Sequence, residues 1–326
     1  MKNKIVKALA MALAMTTVTM MGSVGVFAEE AAEEAAGEEE EEDTGEPSET
    51  PGEVYQPSVN ADAPNEQAIM VISFGTSFND NRTATIKGLE DAIVAAFPEY
   101  DVRRAFTSQI IIDKLKERDN VLIDNVTEAL DRAVADGVKT LVVQPTHLMN
   151  GHEYDDVMEE LANYGDAFES IVVGEPLLTS DEDFSAVIEA IAAGTEEYDD
   201  GDTAICFMGH GTDADSNEVY QKMDDLLKEE GYANYYVGTV EATPTLEDVI
   251  ASVGEGEYSK VLLQPLMVVA GDHANNDMAG DEEDSWKSAF EAAGYEVQCE
   301  LVGLGQMADI QNIYIEHTAD AIAQLD

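Results

Sequence analysis

From Gln67 onward, short runs of aliphatic and β-branched residues alternate with longer stretches whose apolar positions recur every three or four residues. Ala68–Phe74 (AIMVISF) is almost continuously apolar, which predicts a strand buried on both faces. Asn81–Phe97 then carries Ile86, Leu89, Ile93, Val94 and Phe97 at helical spacing. The cycle continues with a strand at Val102–Ala105, helices at Ile110–Arg118 and Asn125–Ala135, and a strand at Thr140–Gln144. A helix around Tyr154–Tyr164, a strand at Ser170–Val173 and a helix at Ser180–Ala193 follow, and the pattern restarts at Thr203–Met208. Strands alternating with helices in this way predict an α/β fold of parallel sheets.

The restart has the marks of a degenerate duplication. Val142-Val143-Gln144-Pro145 leads to Gly151-His152, and Leu262-Leu263-Gln264-Pro265 leads to Gly271-Asp272-His273, 120 residues later. Ser73-Phe74-Gly75-Thr76-Ser77 corresponds to Gly209-His210-Gly211-Thr212-Asp213, and Val173-Gly174-Glu175 to Val302-Gly303-Leu304. The expected architecture is two similar Rossmann-like lobes, residues 67–200 and 201–326, facing a central cleft at the carboxyl ends of their strands, where open α/β sheets bind ligands.

The segment before these lobes has a different character. Lys2, Lys4 and Lys7 precede an apolar run from Ala8 to Val26, and Val26-Phe27-Ala28 supplies a small-x-small cleavage signal. Residues 1–28 therefore read as a secretory signal peptide, and the mature chain is expected to be exported and not membrane-spanning. Residues 29–66 contain 15 acidic residues, no Lys or Arg and almost no large apolar side chains, so they are expected to be a disordered tether.

Charge narrows the choice of partners. The full chain of 326 residues has 16 Lys and Arg against 69 Asp and Glu, a net charge of −53, and 54 acidic against 13 basic residues fall from Gln67 onward. A surface this acidic repels phosphate backbones, so nucleic acid is not an expected partner. The two cysteines, Cys206 and Cys299, are too few for a disulfide framework or a thiolate zinc site, and Cys206 in AICFM reads as a small buried hydrophobe. Any metal must be held by His or carboxylate. The sequence is silent on whether like copies assemble.

No G-x-S-x-G elbow, Walker loop, G-x-G-x-x-G, C-x-x-C or H-E-x-x-H occurs in the expected context, which removes the usual support for serine hydrolase, ATPase and zincin chemistry. Histidines stand out instead. His147, His152, His210 and His273 fall at or near predicted strand ends, whereas His317 lies in the terminal helical pattern Ile310–Leu325 and reads as structural. Neutral imidazole suits borderline divalent ions and accepts protons near neutral pH, so His147 and His210 converging from opposite lobes could hold a metal and take a proton.

The motifs Ser73-Phe74-Gly75-Thr76-Ser77, Arg103-Arg104-Ala105-Phe106-Thr107-Ser108, Gln144-Pro145-Thr146-His147, Gly209-His210-Gly211-Thr212 and the run from Pro265 to Asp281 followed by Asp284-Ser285-Trp286-Lys287 carry a resemblance. They are similar to those of the anaerobic, ATP-independent class II sirohydrochlorin cobalt chelatases of the cobalamin pathway, relatives of the ferrochelatases, over nearly all of Ile69–His317. The resemblance implies Co2+ as the substrate metal, with Fe2+ or Ni2+ as alternatives, no nucleotide, and sirohydrochlorin or a related tetrapyrrole as partner. It also implies a metal held by His147, Glu175 and His210, with the two histidines taking protons. Arg103, Arg104 and His273 are the matching candidates for holding the anionic macrocycle. Glu175 is alternatively a helix-terminal carboxylate, and His273 an orienting residue. An exported tetrapyrrole, haem or metal carrier serving uptake is the alternative function.

Overall fold

The computed structural model describes residues 58–60 and 66–325. The expected signal peptide lies outside them, as does most of the expected tether. Two four-stranded parallel sheets form the body. In the first, β1 (Gln67–Ser73), β2 (Asp101–Phe106), β3 (Thr140–Pro145) and β4 (Ser170–Val173) lie in the order β2-β1-β3-β4. In the second, β5 (Thr203–Gly209), β6 (Tyr235–Thr239), β7 (Lys260–Pro265) and β8 (Glu296–Cys299) repeat that order as β6-β5-β7-β8. The inner strands are apolar on both faces because helices cover both, whereas edge strand β8 alternates between exposed and half-buried residues.

Helices α1 (Asn79–Arg82) and α2 (Gly88–Ala96), joined by a π-turn over Thr83–Lys87, follow β1. Then come α3 (Gln109–Asp119), α4 (Val126–Ala135), α5 (His152–Ala162) and α6 (Asp181–Thr195) in the first half. The second half carries α7 (Glu218–Glu229), α8 (Leu246–Val253), α9 (Trp286–Ala292) and α10 (Ala308–Ile322). Reciprocal capping boxes fix the starts of α4 (Asn125 and Glu128), α6 (Ser180 and Asp183) and α8 (Thr245 and Asp248). Among the described residues no helix is long and apolar enough to cross a membrane.

The terminal helix does not stay with its own sheet. Helix α10 packs on β3, β4, α2 and α6, and a single apolar cluster runs from Leu89 and Phe184 through Tyr314 to Phe207 and Tyr235. The two sheets are thereby joined by shared core. Part of the segment expected to be a tether is also ordered. Ser58 pairs antiparallel with Arg103, and Val59 donates its N–H to the Val102 carbonyl (2.7 Å), because the free edge of β2 offers unpaired backbone groups.

The duplication shows in the backbone hydrogen bonds, which assign equivalent positions. Thr107 N–H donates to Ser73 O as Val240 N–H does to Gly209 O, and Ser108 to Phe74 O as Glu241 to His210 O. Thr146 N–H donates to Ile72 O as Leu266 does to Met208 O. One sequence correspondence is corrected. Gly174 N–H bonds Val143 O as Glu300 N–H bonds Leu263 O, so Gly174 is equivalent to Glu300 and not to Gly303.

Candidate metal centre

His210 stands immediately after the central strand β5, Glu241 two residues after β6, and His273 at the start of the π-turn Ala274–Met278 that follows β7. One donor atom from each of these three residues lies within 4.8 Å of the others, the one such trio of His, Cys, Asp or Glu among the described residues. The imidazole rings of His210 and His273 meet edge to face, with centroids 4.5 Å apart and planes at 85°. A carboxylate oxygen of Glu241 lies 3.7 Å from His210 Nδ1.

Local structure sets this arrangement. Gly211 has φ +93°, and a Cβ there would stand 2.8 Å from the Ala242 nitrogen, so glycine lets the loop after β5 lie against the loop after β6. His210 Nδ1 lies 2.8 Å from the Gly211 carbonyl and can bond it only by donating, which leaves the lone pair on Nε2. His273 Nδ1 is 2.7 Å from Asp277 Oδ2, one π-turn on, which directs its Nε2 in the same way. Burial works against the His273 imidazolium, but the hydrogen bond to Asp277 and the charges of Asp277, Glu241 and Asp272 outweigh it and raise its pKa above the ordinary value. Two imidazole nitrogens and one carboxylate make a set of donors suited to a borderline divalent ion.

The first lobe meets the second beside this cluster. Asn81 Oδ1 accepts the Ala270 N–H (2.9 Å), Thr76 stands against Gly271, and His152 Nε2 is 2.8 Å from Asp213 Oδ1. Glu153, next to His152, feels the charge of His210 across the cleft. Burial raises its carboxyl pKa, which His210 partly offsets.

The structure sets other sequence candidates apart from this trio. His147 is not in the cluster. Its ring is 6% exposed inside the core that joins the lobes, neither nitrogen has a hydrogen-bond partner, and burial alone lowers its pKa to about 4. Its carbonyl instead accepts hydrogen bonds from the Tyr314 hydroxyl and the Leu177 N–H. Glu175 is not in the cluster either. Its carbonyl accepts from Gln144 Nε2 and His317 Nδ1, both at 3.0 Å. His317 also meets Asp183 at 3.0 Å, in the structural role expected of it.

Arg103 and Arg104 are buried along β2 and turned to internal partners. Arg103 binds Asp101 (2.8 Å) and Asp136 (2.7 Å), and Arg104 forms a two-pronged pair with buried Glu90. Neither is free to pair with a macrocycle carboxylate, because a buried guanidinium needs an internal anion. His273, expected to hold the macrocycle, joins the metal cluster instead. Glu241 was not singled out. The strand-end correspondence that links Phe74 to His210, extended to β6, was the signal that leads to it.

Residues 67–323 match the family model described as cobalt chelatase (CbiK). A sirohydrochlorin cobaltochelatase of Salmonella typhimurium is 35% identical over 257 residues, covering 79% of this chain and 97% of the relative. Sirohydrochlorin cobaltochelatase CbiKC of Nitratidesulfovibrio vulgaris is 30% identical over 263 residues, covering 80% and 92%. Among solved structures, SirB from Bacillus subtilis with Fe3+ shares the fold at a TM-score of 0.57 and 14% identity, over 80% of this chain and 97% of SirB.

Proposed function

The chain belongs to the cobalt chelatase (CbiK) family, and from that premise we propose that it is a sirohydrochlorin cobaltochelatase, inserting Co2+ into the macrocycle without a nucleotide. The convergence of His210, Glu241 and His273 at the carboxyl ends of one sheet carries the reading. These residues hold the substrate ion through two Nε2 lone pairs and a carboxylate, and leave its remaining positions to the pyrrole nitrogens. Fe2+ and Ni2+ suit the same donors, so supply and geometry decide between them.

Insertion exchanges one divalent cation for two pyrrole N–H protons. The acceptors at hand are the imidazoles of His210 and His273, once the ion has passed from their Nε2 lone pairs to the ring, and, from the opposite lobe, the Glu153 carboxylate. A carboxyl whose pKa burial has raised is a better proton acceptor than an ordinary one, and Glu153 has that property. Glu241 balances the charge of the incoming ion. The amino-terminal signal pattern makes this an exported chelatase, which fractionation and amino-terminal sequencing of the mature chain would test by a start after Ala28.

The central experiment mixes the purified chain with sirohydrochlorin and Co2+ and follows the ring absorption. Acceleration over the uncatalysed reaction is expected. Stoichiometric binding of the macrocycle without acceleration would overturn the enzyme and leave a carrier.

A further inference from the structure

The equivalences set by the backbone hydrogen bonds give each member of the metal trio a counterpart in the first lobe. Phe74 stands where His210 does, Ser108 where Glu241 does, and Glu153 where His273 does. The loop conformation is kept as well. Gly75 has φ +111° where Gly211 has +93°, and a Cβ on Gly75 would meet Phe106, the counterpart of the Thr239 that faces Gly211. The first lobe thus keeps the backbone of a ligand site while two of its three donor positions hold a phenyl ring and a hydroxyl.

The phenyl ring is not absorbed into the core. Phe74 is 38% exposed, although β1 before it is buried through Ser73. It borders a concavity of about 290 Å3 that is also lined by Thr107, Gln109, Val126, Glu153 and Val157. That volume is just below the roughly 300–1,000 Å3 of sites that enclose a drug-sized ligand, so an edge of a macrocycle fits there and the whole does not. Two residues beside this position tie it to the metal centre. Glu153 feels the charge of His210, and Thr76, two residues after Phe74, stands against Gly271, two residues before His273.

We infer that this degenerate counterpart is the seat of the macrocycle, with one edge of the tetrapyrrole lying on the Phe74 ring while His210, Glu241 and His273 present the ion. The inference rests on the tetrapyrrole reading above. A flat conjugated substrate gains from an aromatic surface that stays half exposed in the free protein, because such a surface loses little solvation and little side-chain freedom on binding. A second ligand trio at the same place would compete for the ion. With Phe74 and Ser108 standing where the second lobe has His and Glu, that competition does not arise, and Phe74 supplies the platform.

The test is titration of metal-free sirohydrochlorin into the full chain, into Phe74→Ala and into Phe74→Trp, with Co2+ affinity measured separately. Phe74→Ala should weaken macrocycle binding by about tenfold and leave Co2+ affinity unchanged. Phe74→Trp should bind as the parent does and show quenching of the added indole beyond that of the single native tryptophan, Trp286, measured in the parent chain. Equal macrocycle binding by the parent and Phe74→Ala, or an unquenched indole, would overturn the platform alone. Failure of the parent chain to bind any macrocycle would overturn both this inference and the functional reading.

Discussion

The two lobes share strand order, equivalent hydrogen bonds and a left-handed glycine after the central strand, yet only the second gathers three metal donors. The difference lies in three side chains at matched positions, Phe74, Ser108 and Glu153 against His210, Glu241 and His273. The fold therefore supplies places and the side chains supply chemistry, and a duplicated fold allows the two places to diverge while facing one cleft.

The largest effect that tests this contrast is removal of a donor. His210→Ala or His273→Ala should lower Co2+ affinity and insertion rate by well over the roughly 10–100-fold that loss of a ligand's hydrogen-bonded partner costs. Melting temperature should be little changed, since both rings are partly exposed. Full insertion activity in either variant would remove that histidine from the ligand set. Asp277→Asn should fall inside the roughly 10–100-fold range, through a less well directed His273, as measured by Co2+ titration and the visible spectrum of the bound ion.

The contrast can also be reversed. If the matched positions are equivalent, Phe74→His combined with Ser108→Glu should rebuild a trio with Glu153 and raise the Co2+ stoichiometry from one to two per chain, with weaker macrocycle binding. A stoichiometry that stays at one would break the equivalence.

The smallest effect concerns the clasp between the lobes. The hydrogen bond to Asp213 raises the His152 pKa first, with small opposition from burial and further help from Asp213, Asp155 and Asp156. A raised imidazole pKa stabilises the fold fully below the ordinary value of about 6.5, and the contribution fades as pH climbs through the raised value. Asp213→Asn should flatten that part of the pH profile of the unfolding midpoint. The change should amount to about 0.5 kcal/mol or less, because the pair is exposed.

Much of the fold is legible from periodicity because the inner strands are buried on both faces and read as unbroken apolar runs, as in AIMVIS. The site is legible only in part. His210 stands out by its strand end, and His273 by its motif, although its expected role was to hold the macrocycle. Glu241 is one of 69 acidic residues and carries no local mark. His147 stands apart from the trio for a physical reason. It too follows a strand, but α10 arrives from far along the chain and sets the Tyr314 hydroxyl on its carbonyl, and no local pattern reports a contact between residues 147 and 314. The internal pairing of Arg103 and Arg104 is not legible locally because their anions are brought by other elements, Glu90 from α2 and Asp136 from just after α4.

The placement of α10 also sets an order on biosynthesis. The first lobe is translated early but borrows part of its cover from the last helix, so it stays incompletely dressed until Ala308–Ile322 is available to pack on it. A chain cut before Ala308 would leave the cover of β3 and β4 unfinished and strip Tyr314 from the carbonyls of Thr146 and His147. The halves of this duplicated molecule are consequently not separable goods, and the first depends on its sibling for completion.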